Sequence, residues 1–454
     1  MTNFDQGPSL ETMIQEAGGA VNLLRRSPLG KFFAPGYEAE FTTWREEQKA
    51  WMESVALLEL SYHMPELHLR GTEVIPFLKE IAVNKLDVFP VLRAKQLVLA
   101  APDGNFIADA IIFHEEDDFY RVVGDIDWVH FNAVNTSFDV TATVNPNWYG
   151  PQVPRDVFRV QLQGPRALEL VTELVGHHLP EIKFFHIGEL EIAGKKVRAL
   201  RHGMAGTPGF ELYGPWDDQE AVRAAIEQTG AKYGLRKVGA VTYPTSSQES
   251  GWMPIPLPAI YTAPELKEYR EWLGPYALSA LGSLAGSMTS ENIEDYYINP
   301  IEAGYGSLID WDRDFVGRDA LRAKFDEPKR VKVTLEWNDE DVAATIAASL
   351  FDGSPAQSLN IPMPHYAFYP ADTVLDANGQ QVGVSQWSCY SANAQHVIST
   401  AVIDTSCAEL GTELTLVWGN PDIQTSLSDA KEVRKIRVTV APVPYFNKAI
   451  KTTN

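Results

Sequence analysis

Two stretches decide the fold of this chain: LHLRGTEVIPFLKEIA (residues 67–82) and VQLQGPRALELVTELV (residues 160–175). Each reads as a short strand, then a glycine, then an amphipathic segment. After Gly71 and after Gly164, apolar residues recur at three- and four-residue steps, the spacing with which a helix buries one face on a sheet. Alternating sequences can also look alike by chance. We predict a strand–helix unit that occurs twice in one α+β body.

The segments around this repeat predict the rest of the architecture. Strands are predicted at residues 95–101, 107–114, 119–124, 189–200 and 209–214, with a helix near 217–229. From residue 330 onward, short alternating runs are separated by Gly, Asn and Asp turns and show almost no helical period. We therefore predict an N-terminal extension (1–40), an α+β body of two intertwined subdomains (41–329) and a C-terminal β-barrel (330–454).

Composition and charge exclude several classes of function. The 454 residues include 38 Lys+Arg and 60 Asp+Glu, and the net charge of −22 disfavours nucleic acid and anionic membranes as partners. Cys389 and Cys407 are too few for a disulfide framework or a cysteine zinc site. The run HEEDD (114–118) is typical of a solvated turn, so we expect no metal. The sequence shows no signal-like start or apolar run of about 18 residues, so we expect a cytoplasmic protein.

Glu211 and His63 are candidate binding residues. Glu211 lies between Phe210 and Leu212 on an otherwise apolar strand. Aimed into a pocket, a carboxylate accepts two parallel N–H bonds from a planar heterocycle such as a 2-amino-4-oxo ring. Facing outward, the same residue would be an ordinary strand glutamate. His63 lies in a short polar patch before the first repeated strand and is either structural or functional.

A proline-rich aromatic segment, residues 243–272, follows the second half of the body. It is too apolar for a linker and too rich in proline for a central strand or helix. Segments of this kind usually wrap a site or an interface. Tyr243 and Trp252 within it are therefore candidate site residues, with core packing as the alternative for each.

Several motifs resemble, in the same order, those of one superfamily. LLELSYHMPELHLRG (57–71) resembles the FDVSHMGQIEVRG-type opening of the aminomethyltransferase (glycine-cleavage T-protein) superfamily. VQLQGPRA, GTPGFELYGP and NPIEAGYGSLIDWDRDFVGRDAL (299–321) resemble its ALQGPKA, GEDGFEI and FIGRDAL motifs, and GTELTLVW resembles part of its C-terminal barrel. The resemblance spans about residues 40 to 450 and implies a tetrahydrofolate-binding α+β body with a barrel.

Within the superfamily, residues 233–262 depart from T-proteins and resemble the tetrahydrofolate-dependent aryl O-demethylases that act on vanillate, syringate and 3-O-methylgallate. This implies methyl transfer from a methoxy-aromatic acid to N5 of tetrahydrofolate. The implied roles are a pterin-binding carboxylate for Glu211, a place beside the methyl for Tyr243, substrate contacts for His63 and Arg121, and a pocket wall for Trp252.

Two positions depart from the family patterns. Asp109 matches one of the two acids of a T-protein motif at the folate, but the other position is Ala108, so the pair of acids is incomplete here. Leu60 stands where vanillate-type members carry glutamine, a change that could alter which ring substituents are accepted.

The chemistry is consistent with these residue types. A tyrosine of pKa about 10 matches a phenol leaving group, so it can donate a proton to the departing oxygen. Arg121 would pair bidentately with a benzoate carboxylate. The reaction requires no metal, and the expected partners are folate and a small aromatic acid, with no indication of the oligomeric state.

Two alternatives remain open. The same folate site could serve an amine or sulfonium methyl donor. The chain could also be a non-catalytic folate-binding assembly factor, but the branch of the superfamily with that role carries a KGCYxGQE element, and the nearest stretch here, TSSQESG (245–251), has no cysteine.

Overall fold

We describe a computed structural model of the chain over residues 7–32, 38–145, 155–351, 356–421 and 432–446. Its helices are α1 (Leu10–Ala17), α2 (Ala20–Arg25), α3 (Trp44–Glu53), α4 (Val74–Ile81), α5 (Asp127–Asn135), α6 (Ala167–Val175), α7 (Gln219–Gly230), α8 (Ser246–Ser250), α9 (Lys267–Trp272), α10 (Leu278–Leu281), α11 (Arg318–Asp326) and α12 (Asp339–Ala348). No helix in these ranges has the length and apolar character needed to cross a bilayer.

The body and barrel are built from strands β1 (Val55–Glu59), β2 (Glu66–Arg70), β3 (Arg93–Ala100), β4 (Phe106–Glu116), β5 (Phe119–Gly124), β6 (Thr141–Asn145), β7 (Val157–Gln163), β8 (Ile187–Ile192), β9 (Lys195–Arg201), β10 (Gly209–Pro215), β11 (Leu235–Val238), β12 (Leu284–Ala285), β13 (Arg330–Trp337), β14 (Tyr369–Pro370), β15 (Asp372–Leu375), β16 (Gln381–Ser391), β17 (His396–Asp404), β18 (Glu413–Trp418) and β19 (Arg434–Ala441).

The repeated unit is present and each copy belongs to a different sheet. β2 and α4 form the first copy, in a five-stranded sheet of order β3-β4-β5-β2-β6. β7 and α6 form the second, in a six-stranded sheet of order β11-β1-β7-β10-β9-β8. The glycines that join strand to helix, Gly71 and Gly164, have φ of +139° and +135°. The α+β prediction and the strand–helix repeat are therefore confirmed.

The glycine of the second copy is required by space as well as by backbone conformation. A Cβ on Gly164 would lie 2.4 Å from the carbonyl oxygen of Ser54. We expect Gly164→Ala to lower the free energy of unfolding by about 3 kcal/mol or more, because it adds this clash to a strained φ. Denaturant unfolding followed by circular dichroism measures the loss.

Gly176→Ala is the matched control for this prediction. Gly176 has φ of +75° at the end of α6, and a Cβ there would meet nothing within 4 Å. The control therefore reports the backbone cost alone, about 1 kcal/mol. Equal losses in the two variants would show that close packing at Gly164 contributes nothing.

The C-terminal strands close into a barrel of order β13-β17-β16-β15-β18-β19, as predicted. The expectation of almost no helix in this region is wrong for α12. The sequence marks this helix by its N-cap and not by a helical period of apolar residues. The Asn338 side chain accepts a hydrogen bond from the Asp341 N–H, and three acidic residues occupy the first turn. Such a start is stabilised by the helix dipole and the cap.

The N-terminal helices and the proline-rich segment pack against the body. Leu10 and Leu24 of α1 and α2 are fully buried in the same core as Leu69 and Phe77 of the first repeat. The segment 243–272 also contains α8 and α9, so the expectation that it forms no helix is wrong at its two ends. The prolines are concentrated between α8 and α9, where the chain is irregular. The two predicted boundaries, after residues 40 and 329, stay predictions.

Candidate functional site

Glu211 lies in the middle of the six-stranded sheet, with β7 on one side of its strand and β9 on the other. Its side chain is buried, so it is not an outward-facing strand glutamate. Arg159 Nη1 donates to Glu211 Oε1 at 2.5 Å, and Arg159 Nε donates to Glu66 Oε1 at 2.8 Å. Because Arg159 divides its charge between two carboxylates, burial raises the pKa of Glu211 above its usual range despite this partner.

Two further polar atoms beside Glu211 lack partners among the described residues. Gln161, opposite Glu211 on β7, donates through Nε2 to the carbonyl of His202 at 2.9 Å, but its buried Oε1 accepts no hydrogen bond. Arg159 Nη2 is also buried and unpaired. A 2-amino-4-oxo heterocycle carries both N–H donors and a carbonyl acceptor, so a pterin fits this set of groups.

Tyr243 and His63 form a hydrogen-bonded pair near this carboxylate. Tyr243 Oη and His63 Nε2 are 2.8 Å apart, and the rings meet edge to face with centroids 4.7 Å apart. Burial and the Arg155 charge lower the pKa of His63 to about 3. Burial and the Glu211 carboxylate raise the pKa of Tyr243 above its usual range. Both side chains are therefore neutral around pH 7.

A buried carboxylate on α3 holds the turn that presents Tyr243. Glu47 is fully buried; its Oε2 accepts from the Gly239 N–H at 2.9 Å and from Thr242 Oγ1 at 2.7 Å. Its Oε1 accepts from the Phe41 N–H at 2.7 Å. The bonds to Gly239 and Thr242 join residues 192 and 195 positions apart in the chain, so the tertiary fold sets the place of Tyr243.

The surroundings of Tyr243 are apolar and come from several parts of the chain. Leu60 is buried in the same cluster as Tyr243, and Met64 and Met204 pack against it. Phe32 lies 6.3 Å from the His63 ring and 6.0 Å from that of Trp387 in the barrel. The N-terminal region, the body and the barrel thus converge here, and apolar walls of this kind suit a flat ring.

Asp109 and Trp252 lie together in a second cluster. Trp252 Nε1 donates to Asp109 Oδ2 at 3.3 Å and to Tyr305 Oη at 3.0 Å, and Gln96 Nε2 donates to the same carboxylate oxygen at 2.7 Å. Burial raises the pKa of Asp109. Trp252 is 41% exposed despite these bonds, so its ring is available as a wall. Lys332 of the barrel lies close enough for the Asp109 charge to act on it.

Arg121 occupies a buried network of ion pairs. Its Nη1 donates to Glu66 Oε2 at 2.5 Å and to Asp156 Oδ2 at 2.9 Å, and its Nε donates to Glu115 Oε1 at 3.3 Å. A bidentate bond to a benzoate, as the resemblance implies for Arg121, would have to displace these carboxylates. Glu66, Asp156 and His68 also face one another at metal-ligand spacing, but the Nη1 group already bonds to all three.

Arg159 and Gln161 are not among the site residues that the sequence analysis predicted. The signal was present, because both are polar residues at alternate positions of the otherwise apolar strand VFRVQLQ, the same pattern that singled out Glu211. Arg155 is a third missed residue. It precedes the strand, where no period marks it.

The fold and this site, in which a buried carboxylate acts electrostatically on a tyrosine–histidine pair, suit an enzyme of the group-transfer class. Residues 14–255 match the family model described as the GCVT N-terminal domain. A syringate O-demethylase from a Sphingobium species is 38% identical over 96% of this chain and 96% of its own. The chain therefore belongs to the aminomethyltransferase (GcvT) family, which confirms the resemblance found in its motifs.

More distant relatives agree with this assignment. A sesamin methylene transferase from a Sinomonas species is 29% identical, with 91% of this chain and 89% of that protein covered. An aminomethyltransferase from Exiguobacterium sibiricum is 28% identical, with 73% and 83% covered. The crystal structure of aminomethyltransferase T from Bartonella henselae superimposes with a TM-score of 0.59 at 14% identity, covering 89% of this chain and 90% of that one. This last likeness concerns the fold alone.

Proposed function

We propose that the protein transfers a methyl group from a methoxy-aromatic acid to N5 of tetrahydrofolate, giving a phenol and 5-methyltetrahydrofolate. The observation that carries the proposal is the neutral Tyr243–His63 pair, in an apolar cluster and within electrostatic reach of the buried Glu211. The relation to a syringate O-demethylase over nearly the whole chain supports an aromatic ether as methyl donor.

Glu211 and its neighbours would hold the folate. The Glu211 carboxylate would accept N–H bonds from the pterin edge, and Gln161 Oε1 would accept a further one. Trp252 and Asp109 would line the same cofactor site farther along. When bound, tetrahydrofolate supplies the N5 lone pair to which the methyl group is transferred.

Tyr243 would assist the departure of the phenol. Negative charge would grow on the aryl oxygen as the methyl group leaves it, and the Tyr243 hydroxyl would donate its proton there. The proton that the methyl group displaces from the accepting N–H would restore the tyrosine, so the proton count balances. In the tautomer protonated at Nε2, His63 donates to Tyr243 Oη and directs the phenolic hydrogen toward the substrate. Burial raises the pKa of Tyr243 and would raise that of a buried phenol in the same direction, so the two acids remain matched.

The identity of the folate product tests this function. The protein would be incubated with tetrahydrofolate and one candidate methyl donor per reaction: vanillate, syringate, 3-O-methylgallate, guaiacol or dimethylglycine. Mass spectrometry would identify the folate product of each reaction. We expect 5-methyltetrahydrofolate with the methoxy-aromatic acids. Formation of 5,10-methylenetetrahydrofolate from dimethylglycine alone would contradict the proposal, as would folate binding without turnover of any donor.

A further inference from the structure

Arg155, just before β7, carries a guanidinium that the protein leaves partly unpaired. The residue is only 7% exposed. Its Nη1 donates to the Met64 carbonyl at a long 3.4 Å, while its Nε and Nη2 are buried and find no hydrogen-bond partner among the residues that the structure describes. Burying N–H groups of a charged side chain without acceptors is costly. Such a group therefore marks a place where a ligand can supply the acceptor.

The neighbouring arginines are different. Arg121 bonds three carboxylates and Arg159 bonds two. Over the described ranges, Arg155 forms no ion pair, and burial lowers its pKa even though the charges of Glu66 and Glu59 act in the opposite direction. Of these three guanidiniums, Arg155 is the one with two nitrogens, Nε and Nη2, that lack a partner among the described residues, whereas Arg159 leaves only Nη2 without one.

The unpaired atoms have the geometry that a carboxylate requires. Nε and Nη2 of an arginine direct their hydrogens from the same edge of the planar group, at a spacing that matches the two oxygens of a carboxylate. A monodentate acceptor, such as a neutral hydroxyl, would satisfy only one of them. The missing partner is therefore best described as a carboxylate.

Arg155 also lies beside the cluster that contains the Tyr243–His63 pair. Its Nη1 bonds the backbone of Met64, the residue after His63, and Met64 packs against the cluster that contains Tyr243. Together with burial, the charge of Arg155 lowers the pKa of His63. An aromatic ring placed in the apolar cluster would have the Tyr243–His63 pair and Arg155 among its polar neighbours.

We propose that Arg155 binds the carboxylate of the substrate through Nε and Nη2, while Tyr243 and His63 face the ether oxygen. The inference rests on the proposed function and deepens it, because it commits the site to anionic aromatic acids rather than neutral methoxyphenols. It also assigns Arg121 a different task, that of holding Glu66 in position for Arg159.

Matched substrate pairs test the assignment. Syringate and 2,6-dimethoxyphenol differ only in the carboxylate, as do vanillate and guaiacol. We expect Arg155→Gln to lower kcat/KM for the acids about 100-fold, mainly through KM, with at least tenfold less loss on the neutral partners. Arg155→Lys should recover only part of the loss, because an ammonium cannot form the two parallel bonds. Equal losses on acid and neutral substrates would overturn the assignment.

Arg121→Gln is the control that separates the two arginines. It breaks a buried network, so we expect a lower Tm and similar fractional losses on both members of each pair. A loss confined to the acids in Arg121→Gln, with none in Arg155→Gln, would overturn the inference and restore Arg121 as the substrate arginine.

Direct binding keeps this inference distinct from the methyl-transfer proposal. The Kd of vanillate, measured by isothermal titration calorimetry without folate, requires no turnover. Weaker binding in folded Arg155→Gln than in wild type would support the carboxylate site even if no methyl transfer were found. Unchanged vanillate affinity in that variant would overturn the site even if wild type demethylates.

Discussion

Tyr243→Phe is expected to lower kcat for aryl ether demethylation by about 10²- to 10⁴-fold, the usual contribution of a general acid, with tetrahydrofolate affinity nearly intact. The phenylalanine ring keeps its packing with Leu60 but loses the hydroxyl that lies 2.8 Å from His63 Nε2. Steady-state kinetics with syringate and a fluorescence titration with tetrahydrofolate measure the two effects. A kcat within twofold of wild type would remove Tyr243 from the reaction.

Tyr261→Phe is the matched control. It removes the same hydroxyl from another buried ring of the segment 243–272, where Tyr261 Oη donates to the Ser279 carbonyl at 2.8 Å. We expect a stability loss of about 1 kcal/mol and an unchanged kcat. If both variants lose kcat equally, the effect of Tyr243→Phe is one of stability.

The pH dependence of kcat offers a further check on the pair. His63 is neutral above its lowered pKa of about 3, and Tyr243 stays protonated up to a pKa above the ordinary value for a tyrosine. Both groups therefore keep their working form across the neutral range. We expect no inflection of kcat from them between about pH 6 and pH 8. An inflection in this range that disappears in Tyr243→Phe would show that the pair titrates.

Glu211→Gln is expected to weaken tetrahydrofolate binding by about 10²-fold or more, because a neutral amide replaces the charged acceptor of the pterin N–H groups. The same change removes one of the two carboxylate partners of the buried Arg159. Titration with tetrahydrofolate measures the Kd, and thermal unfolding measures the accompanying loss of stability. An unchanged Kd in a folded variant would leave Glu211 with a structural role only.

Glu115→Gln separates the loss of folate affinity from the loss of stability expected for Glu211→Gln. Glu115 is also buried and also accepts from arginines, namely Arg121 and Arg198, but it lies at the far end of the ion network. Burial is the main cause of the raised pKa of Glu211 and the Glu115 charge adds to it, so the loss of Glu115 should destabilise the protein without weakening folate binding. Because the folded-state pKa of Glu211 is raised, we also expect wild-type folate binding to weaken as the pH falls through a range above that of an ordinary glutamate.

Local sequence patterns predicted the elements well. The strand–glycine–helix repeat and the barrel strands follow from periods of two and of about 3.6 residues, and such periods report only which face of an element is buried. The same rule found Glu211, since a carboxylate on the buried face of a strand is unusual. Helix α12 was missed because its signal is a cap rather than a period.

Local sequence patterns could not predict which residues pair with the buried charges. Glu211 bonds Arg159, 52 residues away, and Arg159 bonds Glu66, 93 residues away. A period shows that these side chains point inward but not which one each meets. For this reason Arg121 was a reasonable sequence-based choice for the substrate carboxylate, although the structure surrounds it with the protein's own acids.

The sequence by itself determined the two strand–helix units, the barrel and the placement of a carboxylate and a tyrosine on buried segments. These features depend on patterns among residues that are close together in the chain. Only the tertiary structure decided that Tyr243 meets His63, that Arg159 is shared by Glu66 and Glu211, and that two nitrogens of Arg155 have no partner in the described part of the chain. The physical reason is that the energy of a buried charge depends on the groups packed around it. Those groups are brought together by strands that are distant in sequence.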